Sequence, residues 1–525
     1  MTNFMSALEK SAEKLQPNVS ITENGAVGYK TAGKKLLDCN FMLSSMRNMD
    51  ENDVWKHFLA AYNENPTLAM LWLFFARDIR GGGCGERRTF RIIFKRFCRE
   101  NPRVAGLLMH LLPVYGRWDD VIDVYAIDVP CEVRESAFRV IMKQLMADLD
   151  NERARKPISL LAKWLPSPAT SSKETRRRAE MLRNALGYTP MQYRKMLSRL
   201  RGYLGVTERF MSANEWDQIN YEAVPSRAAM NYREAFGRHD EDRYSEYLRY
   251  VKSGKAKINA STLYPYDIVH AYMTGDTWDE GVKDTDDTLE AQWNALPNTV
   301  PDNQSTLVIV DGSGSMCTRI GSTSVTCHDV ARSLGIYFAE KLSGPYHNQF
   351  ITFSSRPQYV GFADGLSLHS RLEIMENYND CSNTDIEKVF DLILDTAITW
   401  GLEQSEIPAN ILIVSDQEFD NATYRGGYGY DNRFNHGPAD QTLFNSIRKR
   451  WESAGYKLPR LVFWNVCSRT GTIPVKENDM GVALVSGFSP NIADMVMSGE
   501  LDPYKCLVNK LMSERYQPVL NALKE

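Results

Sequence analysis

The pentapeptide Asp311-Gly312-Ser313-Gly314-Ser315 sets three oxygen-bearing side chains at every second position, with glycines between them that let the backbone turn tightly. Oxygens spaced in this way can converge on one hard cation. Magnesium prefers oxygen donors in octahedral geometry and keeps several of its waters, so a short loop need supply only a few ligands. Two later segments offer more oxygen, Asn383-Thr384-Asp385 and the lone Asp416. The candidate metal ligands are therefore Asp311, Ser313, Ser315, Thr384 and Asp416, around Mg2+ or another divalent cation. A serine-glycine turn capping a helix would account for residues 313–315 but not for Thr384 and Asp416 together with them. Asp416, Glu418 and Asp420 could act in metal-assisted hydrolysis, yet carboxylates around magnesium usually tune and hydrate the ion.

A second kind of chemistry lies in arginine and lysine. Arg77, Arg80, Arg87, Arg88 and Arg91 surround and follow a glycine run at 81–85, with Lys95 and Arg96 beyond. Residues 151–210 then hold 14 basic against 4 acidic side chains, among them Lys173, Arg176, Arg177, Arg178, Arg183, Arg194, Lys195, Arg199 and Arg201. Arg176 and Arg183 are seven apart and share a helix face. Tyr188 and Tyr193 are interleaved with them, and guanidinium groups beside aromatic rings suit phosphate contact and base stacking on single-stranded or irregular RNA. A solvated charged face is the alternative reading of either cluster.

Other catalytic signatures are missing. The segment Gly81 to Arg88 lacks the Lys-Ser/Thr of a phosphate-binding loop and reads as a helix stop. Gly312-Ser313-Gly314 lacks the residue that a nucleophile elbow places between each glycine and the serine. The eight histidines form no HExxH pair, and no general base stands near a nucleophile, so a noncatalytic protein is expected. The loop Tyr424 to Tyr430, rich in tyrosine and glycine, reads as a surface loop, with a stacking platform beside the metal as the alternative.

The elements that must position these groups divide the chain in two. With 525 residues, 43% hydrophobic and 24% charged, it is long enough for two or three domains, and extended disorder is excluded as its main state. Residues 51–270 show apolar spacing of three and four, with helices expected at 54–62, 67–79, 86–99, 103–112, 117–125, 131–149, 173–186 and 190–204. Asp53 is the expected cap of the first. Short turns between such helices suggest an array of helical hairpins of HEAT-like type, although no constant repeat period is present. Residues 1–50 read as an N-terminal extension and 271–302, with one basic against eight acidic residues, as an acidic linker.

From 303 to 525 short β-branched runs at 306–310, 348–353, 410–415, 460–466 and 481–485 alternate with helical patterns at 325–342, 385–400 and 439–454. That alternation predicts a doubly wound α/β domain with a largely parallel sheet. In such a sheet ligands bind beyond the carboxyl ends of the strands, where the Asp311 loop emerges from the first strand. Nine cysteines without a CxxC pair, no apolar run of membrane-spanning length and charged residues at positions 9, 10, 13 and 14 point to a cytoplasmic protein with free thiols and no membrane span.

The set Asp311-x-Ser313-x-Ser315, Thr384 and Asp416 resembles the metal-ion-dependent adhesion site of von Willebrand factor A domains. The resemblance implies Ser313 and Ser315 as direct ligands, Thr384 as direct or water-mediated, and Asp311 and Asp416 as groups that orient bound water. A cation held mainly by hydroxyls stays electron-poor and can accept a carboxylate or phosphate oxygen from a partner. Gln417 departs from the pattern, since many members of that family have glycine there. A helical module with Phe75-Ala76-Arg77-Asp78-Ile79-Arg80-Gly81 and Tyr115-Gly116-Arg117-Trp118-Asp119-Asp120, followed by an A domain, resembles the TROVE family, which includes the Ro autoantigen. Ala162-Lys163-Trp164-Leu165-Pro166 and Val224-Pro225-Ser226-Arg227 resemble a sister family of it found in bacteria, phages and eukaryotes. What this implies is a ring of HEAT-like repeats closed on the A domain, binding small or misfolded noncoding RNA. The expected function is an RNA-binding scaffold with a metal-dependent ligand site. The alternatives are a protein-interaction module that captures an acidic partner without RNA and, more remotely, a magnesium-dependent enzyme acting on nucleic acid.

Overall fold

Side-chain caps start several of the helices in the first half of the chain. Lys35–Phe41 forms α1. The carboxylate of Asp50 accepts from the amides of Asn52 and Asp53 and starts α2, Glu51–Glu64, one turn earlier than the cap expected at Asp53. Asn65 caps α3, Pro66–Arg77, with Pro66 in the first turn where its missing N–H costs nothing. The array continues through α4 (Arg87–Glu100), α5 (Pro102–Leu108), α6 (Trp118–Ala126), α7 (Cys131–Arg153), α8 (Lys173–Ala185), α9 (Pro190–Tyr203), α10 (Ser226–His239), α11 (Glu241–Lys252) and α12 (Pro265–Tyr272). In this computed structural model the described residues are 18, 20–274, 281–302, 305–378, 382–419, 443–474, 482–489 and 502–525.

The C-terminal half is a six-stranded sheet with helices packed on it. Its strands are β1 (Thr306–Asp311), β2 (Gln349–Phe353), β3 (Pro357–Gly361), β4 (Asn410–Ser415), β5 (Arg460–Asn465) and β6 (Val482–Ser486), in the order β6-β5-β4-β1-β2-β3. All neighbours are parallel except β3, which runs antiparallel to β2 at the edge. A proline opens β3, a position an edge strand tolerates because Pro offers no ladder N–H. Helix α13 (Cys327–Lys341) buries nearly every residue, from Cys327 to Ala339, between the sheet and the helical half.

Packing contacts reach into both segments expected to be linker and extension. Within 271–302, Asp286 and Glu290 are engaged by the rest of the fold. Asp286 caps the helix Asp287–Asn294, accepts from Arg233 Nε at 2.7 Å, and lies beside the buried Leu289 and Trp293 of that helix. Residues 41–44 of the expected extension are held by the sheet. Asn465 Nδ2 donates to Phe41 O at 2.7 Å, and Ser44 Oγ donates to Asn465 O at 2.9 Å, so α1 and the turn after it are stitched to the carboxyl end of β5.

The two ends of the helical array meet. Tyr264 OH, at the start of α12, donates to Cys84 O between α3 and α4. Arg47 forks onto the Glu86 carboxylate at 2.8–3.0 Å, and Arg515 from the C-terminal segment pairs with the buried Asp78 at 2.8 Å. One apolar core runs from Ala26 to Ala522 through both halves, while Tyr221, Phe236, Tyr244, Tyr247 and Ile258 form a smaller core of their own. Among the described residues no helix is long and apolar enough to cross a membrane, and the eight described cysteines are free thiols.

Candidate metal centre

Strand register brings the first two pieces of the site together. Parallel β1 and β4 pair Val310 with Val414, so the chain leaves both strands side by side at their carboxyl ends, Asp311 from one and Ser415-Asp416 from the other. The order of strands reverses between these two, the place where open α/β sheets leave a crevice. Asp311 Oδ2 accepts from Ser415 Oγ at 2.5 Å, and Oδ1 accepts from its own loop at Ser313 N, 2.9 Å. These two bonds fix the carboxylate and turn the loop, so that Ser313 Oγ and Ser315 Oγ come to 3.0 Å from each other.

The Thr384 loop joins through backbone. Gly314 N donates to Ser382 O at 3.0 Å, and Asp385 N donates to Ser354 O at 3.1 Å. Thr384 is 1% exposed, and its Oγ1 accepts from Asn24 Nδ2 at 3.1 Å; the same amide donates to Glu418 O at 2.7 Å. Asn24 thereby ties the Thr384 loop to the Asp416 loop. All five expected residues lie at one edge of the sheet, four of them fully buried and Ser315 half-buried.

The electrostatics of this cluster suit a cation. Burial, with Asp311 and Glu418 close by, pushes the Asp416 carboxyl up to about 7, against the pull of Arg469 and the Ser315 hydroxyl. Asp416 Oδ2 is buried and accepts no hydrogen bond; its nearest cation is Arg469 Nη2 at 3.6 Å. A buried carboxylate oxygen without a donor is an acceptor still to be satisfied, and a cation's bound water supplies one. No group of three or more His, Cys, Asp or Glu side chains among the described residues is arranged to hold a metal. An ion here would rest on the hydroxyls of Ser313, Ser315 and Thr384 with Asp311 and Asp416 behind them, a donor set that fits magnesium better than zinc.

Gln417 adopts φ of +66°, in the left-handed region that favours glycine. Its side chain offsets the strain by donating from Nε2 to Ser415 O at 3.2 Å and Trp464 O at 3.4 Å. Glu418, a hydrolytic candidate from sequence, is instead a loop organiser. Its buried carboxylate accepts from the amides of Glu23, Arg469 and Thr470 at 2.8–2.9 Å and from the hydroxyls of Ser468 and Thr470. Asp420 and the loop 424–430 lie outside the described residues.

The basic candidates divide sharply by what they touch. Arg77 is 2% exposed and its guanidinium grips Asp120 at 2.7 Å, which removes it from any nucleic-acid surface. Arg91 is enclosed by Asp119, Asp120 and Asp123. Arg88 donates to the carbonyls of Met46 and Met49, and Arg201 to those of Ala162 and Leu165. Arg178 pairs with Asp123 and Glu174, Arg177 with Glu174, Arg199 with Glu152, and Arg183 lies 3.8 Å from Glu180. Arg87 keeps a looser 3.7 Å contact with Asp119, and Arg80 donates to Gly116 O. Lys173, Arg176, Arg194 and Lys195 are exposed. Tyr193, expected to stack on bases, is fully buried, with its hydroxyl on Pro166 O.

Three residues of the site escaped the sequence: Asn24, Glu23 and Arg469. Glu23 and Asn24 stand roughly 360 to 450 positions from their partners and Arg469 roughly 50 to 150 from Asp416, Ser315 and Thr318, and an isolated Arg or Asn carries no motif to reveal such contacts. Residues 170–305 match a family described as a domain of unknown function, DUF2828, and residues 305–515 a second, DUF7788, whose start coincides with the first strand of the sheet. The chain is also similar to the uncharacterized protein L728 of Acanthamoeba polyphaga mimivirus, 29% identical over 538 aligned residues that cover 96% of this chain and 89% of the viral protein.

Proposed function

We propose that the protein is a noncatalytic scaffold whose α/β half holds a divalent cation and, through it, an anionic partner. The observation that carries this reading is the buried carboxylate of Asp416, which the Asp311–Ser315 loop reaches, to whose loop Asn24 ties Thr384, and one oxygen of which accepts no hydrogen bond. The strand order, with one antiparallel edge strand beyond β2, supports the likeness to a von Willebrand factor A domain. Meeting of the array's ends supports the likeness to the closed HEAT-like arrays of the TROVE family. When bound, the cation would supply an electrophilic position for a partner's oxygen. Asp311 and Asp416 would orient its waters, while Ser415, Asn24 and Glu418 tie the loops together. Recovery of partners from cell extract with magnesium or with chelator, using wild type and Ser313→Ala, tests the reading. A partner retained only by wild type in magnesium is expected; identical recovery in all four conditions would refute it.

RNA binding by the helical half is the second reading. It is favoured by a cavity of about 580 Å³ bordered by Lys163, Arg194, Arg201 and Arg209, with Glu208 as its one acid. Neutralising Arg176, Arg194 and Lys195 should weaken RNA of many sequences alike and flatten the salt dependence by about 0.7 per lost contact with a single strand. A gel-shift series over salt that gives the same slope for variant and wild type would remove these residues from the surface.

A further inference from the structure

Residues 20–28 form a small hairpin, Ser20–Ile21 against Val27–Gly28, that packs against the Thr384 loop and the Glu418–Phe419 loop of the candidate metal centre. Its turn is seated by side-chain contacts. Thr22 Oγ1 donates to Phe419 O at 2.6 Å, Glu23 N to Glu418 Oε2 at 2.8 Å, and Asn24 reaches both Glu418 O and Thr384 Oγ1. Backbone bonds between Tyr29 and Ile473, each 2.8 Å, extend the attachment. The close fit continues at Gly28, where a Cβ would stand 2.5 Å from the Thr472 side chain and 2.9 Å from Ile473 O.

Arg469 is the hinge of this arrangement. Its Nη1 donates to Thr318 Oγ1 at 2.9 Å and Ser315 O at 3.3 Å, which fixes the guanidinium against the Asp311–Ser315 loop. Its Nη2 faces Asp416 Oδ2 at 3.6 Å on the buried side and pairs with the carboxylate of Glu23 on the solvent side. Glu23 is 56% exposed and Arg469 30%, so the pair is wet and exchangeable, unlike the buried contacts beneath it. We propose that Arg469 is a recognition residue for an acidic side chain of a partner peptide, and that Glu23 occupies this position in cis until such a peptide replaces it. The inference rests on the metal-centre reading, for it places the partner's carboxylate beside that centre. Charge complementarity identifies the occupant. A guanidinium already held on three sides by the protein, with an acid on its open side, selects a carboxylate over an amide.

The test uses the full chain and an immobilised series of peptides Gly-Gly-X-Gly-Gly, with X as Asp, Glu, Asn or Gln, in magnesium. Glu23→Gln should bind the Asp and Glu peptides roughly threefold more tightly than wild type, the scale on which an exposed ion pair competes. The Asn and Gln peptides should not change. Arg469→Ala, added to Glu23→Gln, should abolish the gain, and Arg469→Lys should restore part of it. Circular dichroism and the unfolding midpoint establish that each variant is folded, and calorimetric titration of magnesium into each establishes whether the cation binds. Magnesium binding with no gain in Glu23→Gln, or a gain that survives Arg469→Ala, would overturn this inference and leave the metal centre standing. No magnesium binding in wild type would overturn both.

Discussion

Replacing Asp416 by asparagine should make the metal-free protein more stable above pH 7 while removing its response to magnesium. The side chain is fully buried, with Asp311 and Glu418 close by, and its carboxyl is pushed up to about 7. In the unfolded chain an aspartate ionises near 4. Between these values the folded protein holds a proton that the unfolded chain has released, so stability falls as pH rises through the window and the full cost is present above 7. At 1.36 kcal/mol per pH unit, a rise of about three units corresponds to a cost on the order of 4 kcal/mol for the ionised form. Asparagine keeps Oδ1 to accept from Glu418 N, at 3.2 Å in wild type, but sets an amide near Arg469, which returns part of the gain. A net stabilisation of about 1–2 kcal/mol at pH 8 is expected. Thermal unfolding at pH 5 and pH 8, with magnesium or EDTA, reads it directly. Wild type should gain about 2.7 kcal/mol when magnesium is at a hundred times its dissociation constant, and the asparagine variant far less. A variant less stable than wild type at pH 8 in EDTA, with an equal magnesium response, would refute the electrostatic reasoning.

Three further outcomes follow from the geometry. Arg77→Ala should destabilise the protein by about 3–5 kcal/mol, because Asp120 is left buried with one guanidinium fewer; denaturant unfolding measures this, and an unchanged midpoint would contradict the placement. Gln417→Gly should be more stable than Gln417→Ala by about 1 kcal/mol, since both lose the same side-chain bonds and only glycine relaxes φ of +66°. His328, held neutral by burial and by Arg332 with its titration lowered to about 3, should contribute a loss of stability as pH falls from about 6.5 toward 3, and His328→Gln should flatten that slope in a pH series of unfolding midpoints.

Much of the fold was legible because local signals agreed with tertiary ones. The strand expected at 410–415 is observed at those residues, and helices such as 131–149 and 190–204 differ from observation only at their ends. Such runs carry both the apolar period and the right boundary residues. What escaped was set by distance. Pro357–Gly361 has two exposed residues, Tyr359 and Gly361, among its five and no apolar period, and only its pairing with β2 makes it a strand. The acids of 271–302 look like a solvated linker until Arg233, some fifty residues earlier, is seen on Asp286. The arginines of α4 looked free because the aspartates that hold Arg91 lie about thirty residues downstream. The candidate residues Asp311, Ser313, Ser315, Thr384 and Asp416 could be grouped from sequence because they lie just beyond strands or just before helices. Their cover, Glu23, Asn24 and Arg469, was not, since neither side of those contacts forms a pattern alone.

Asp311, Ser313, Ser315, Thr384 and Asp416 are proposed to hold one divalent cation together. Calorimetric titration of magnesium, repeated with manganese, into the full chain and into Ser313→Ala, Thr384→Ala and Arg194→Ala tests it most directly. The predicted result is a single saturable site in wild type and Arg194→Ala, weakened at least about tenfold in Ser313→Ala and Thr384→Ala with the fold intact by circular dichroism. Absence of saturable binding in wild type, or equal binding in all four proteins, would contradict the account.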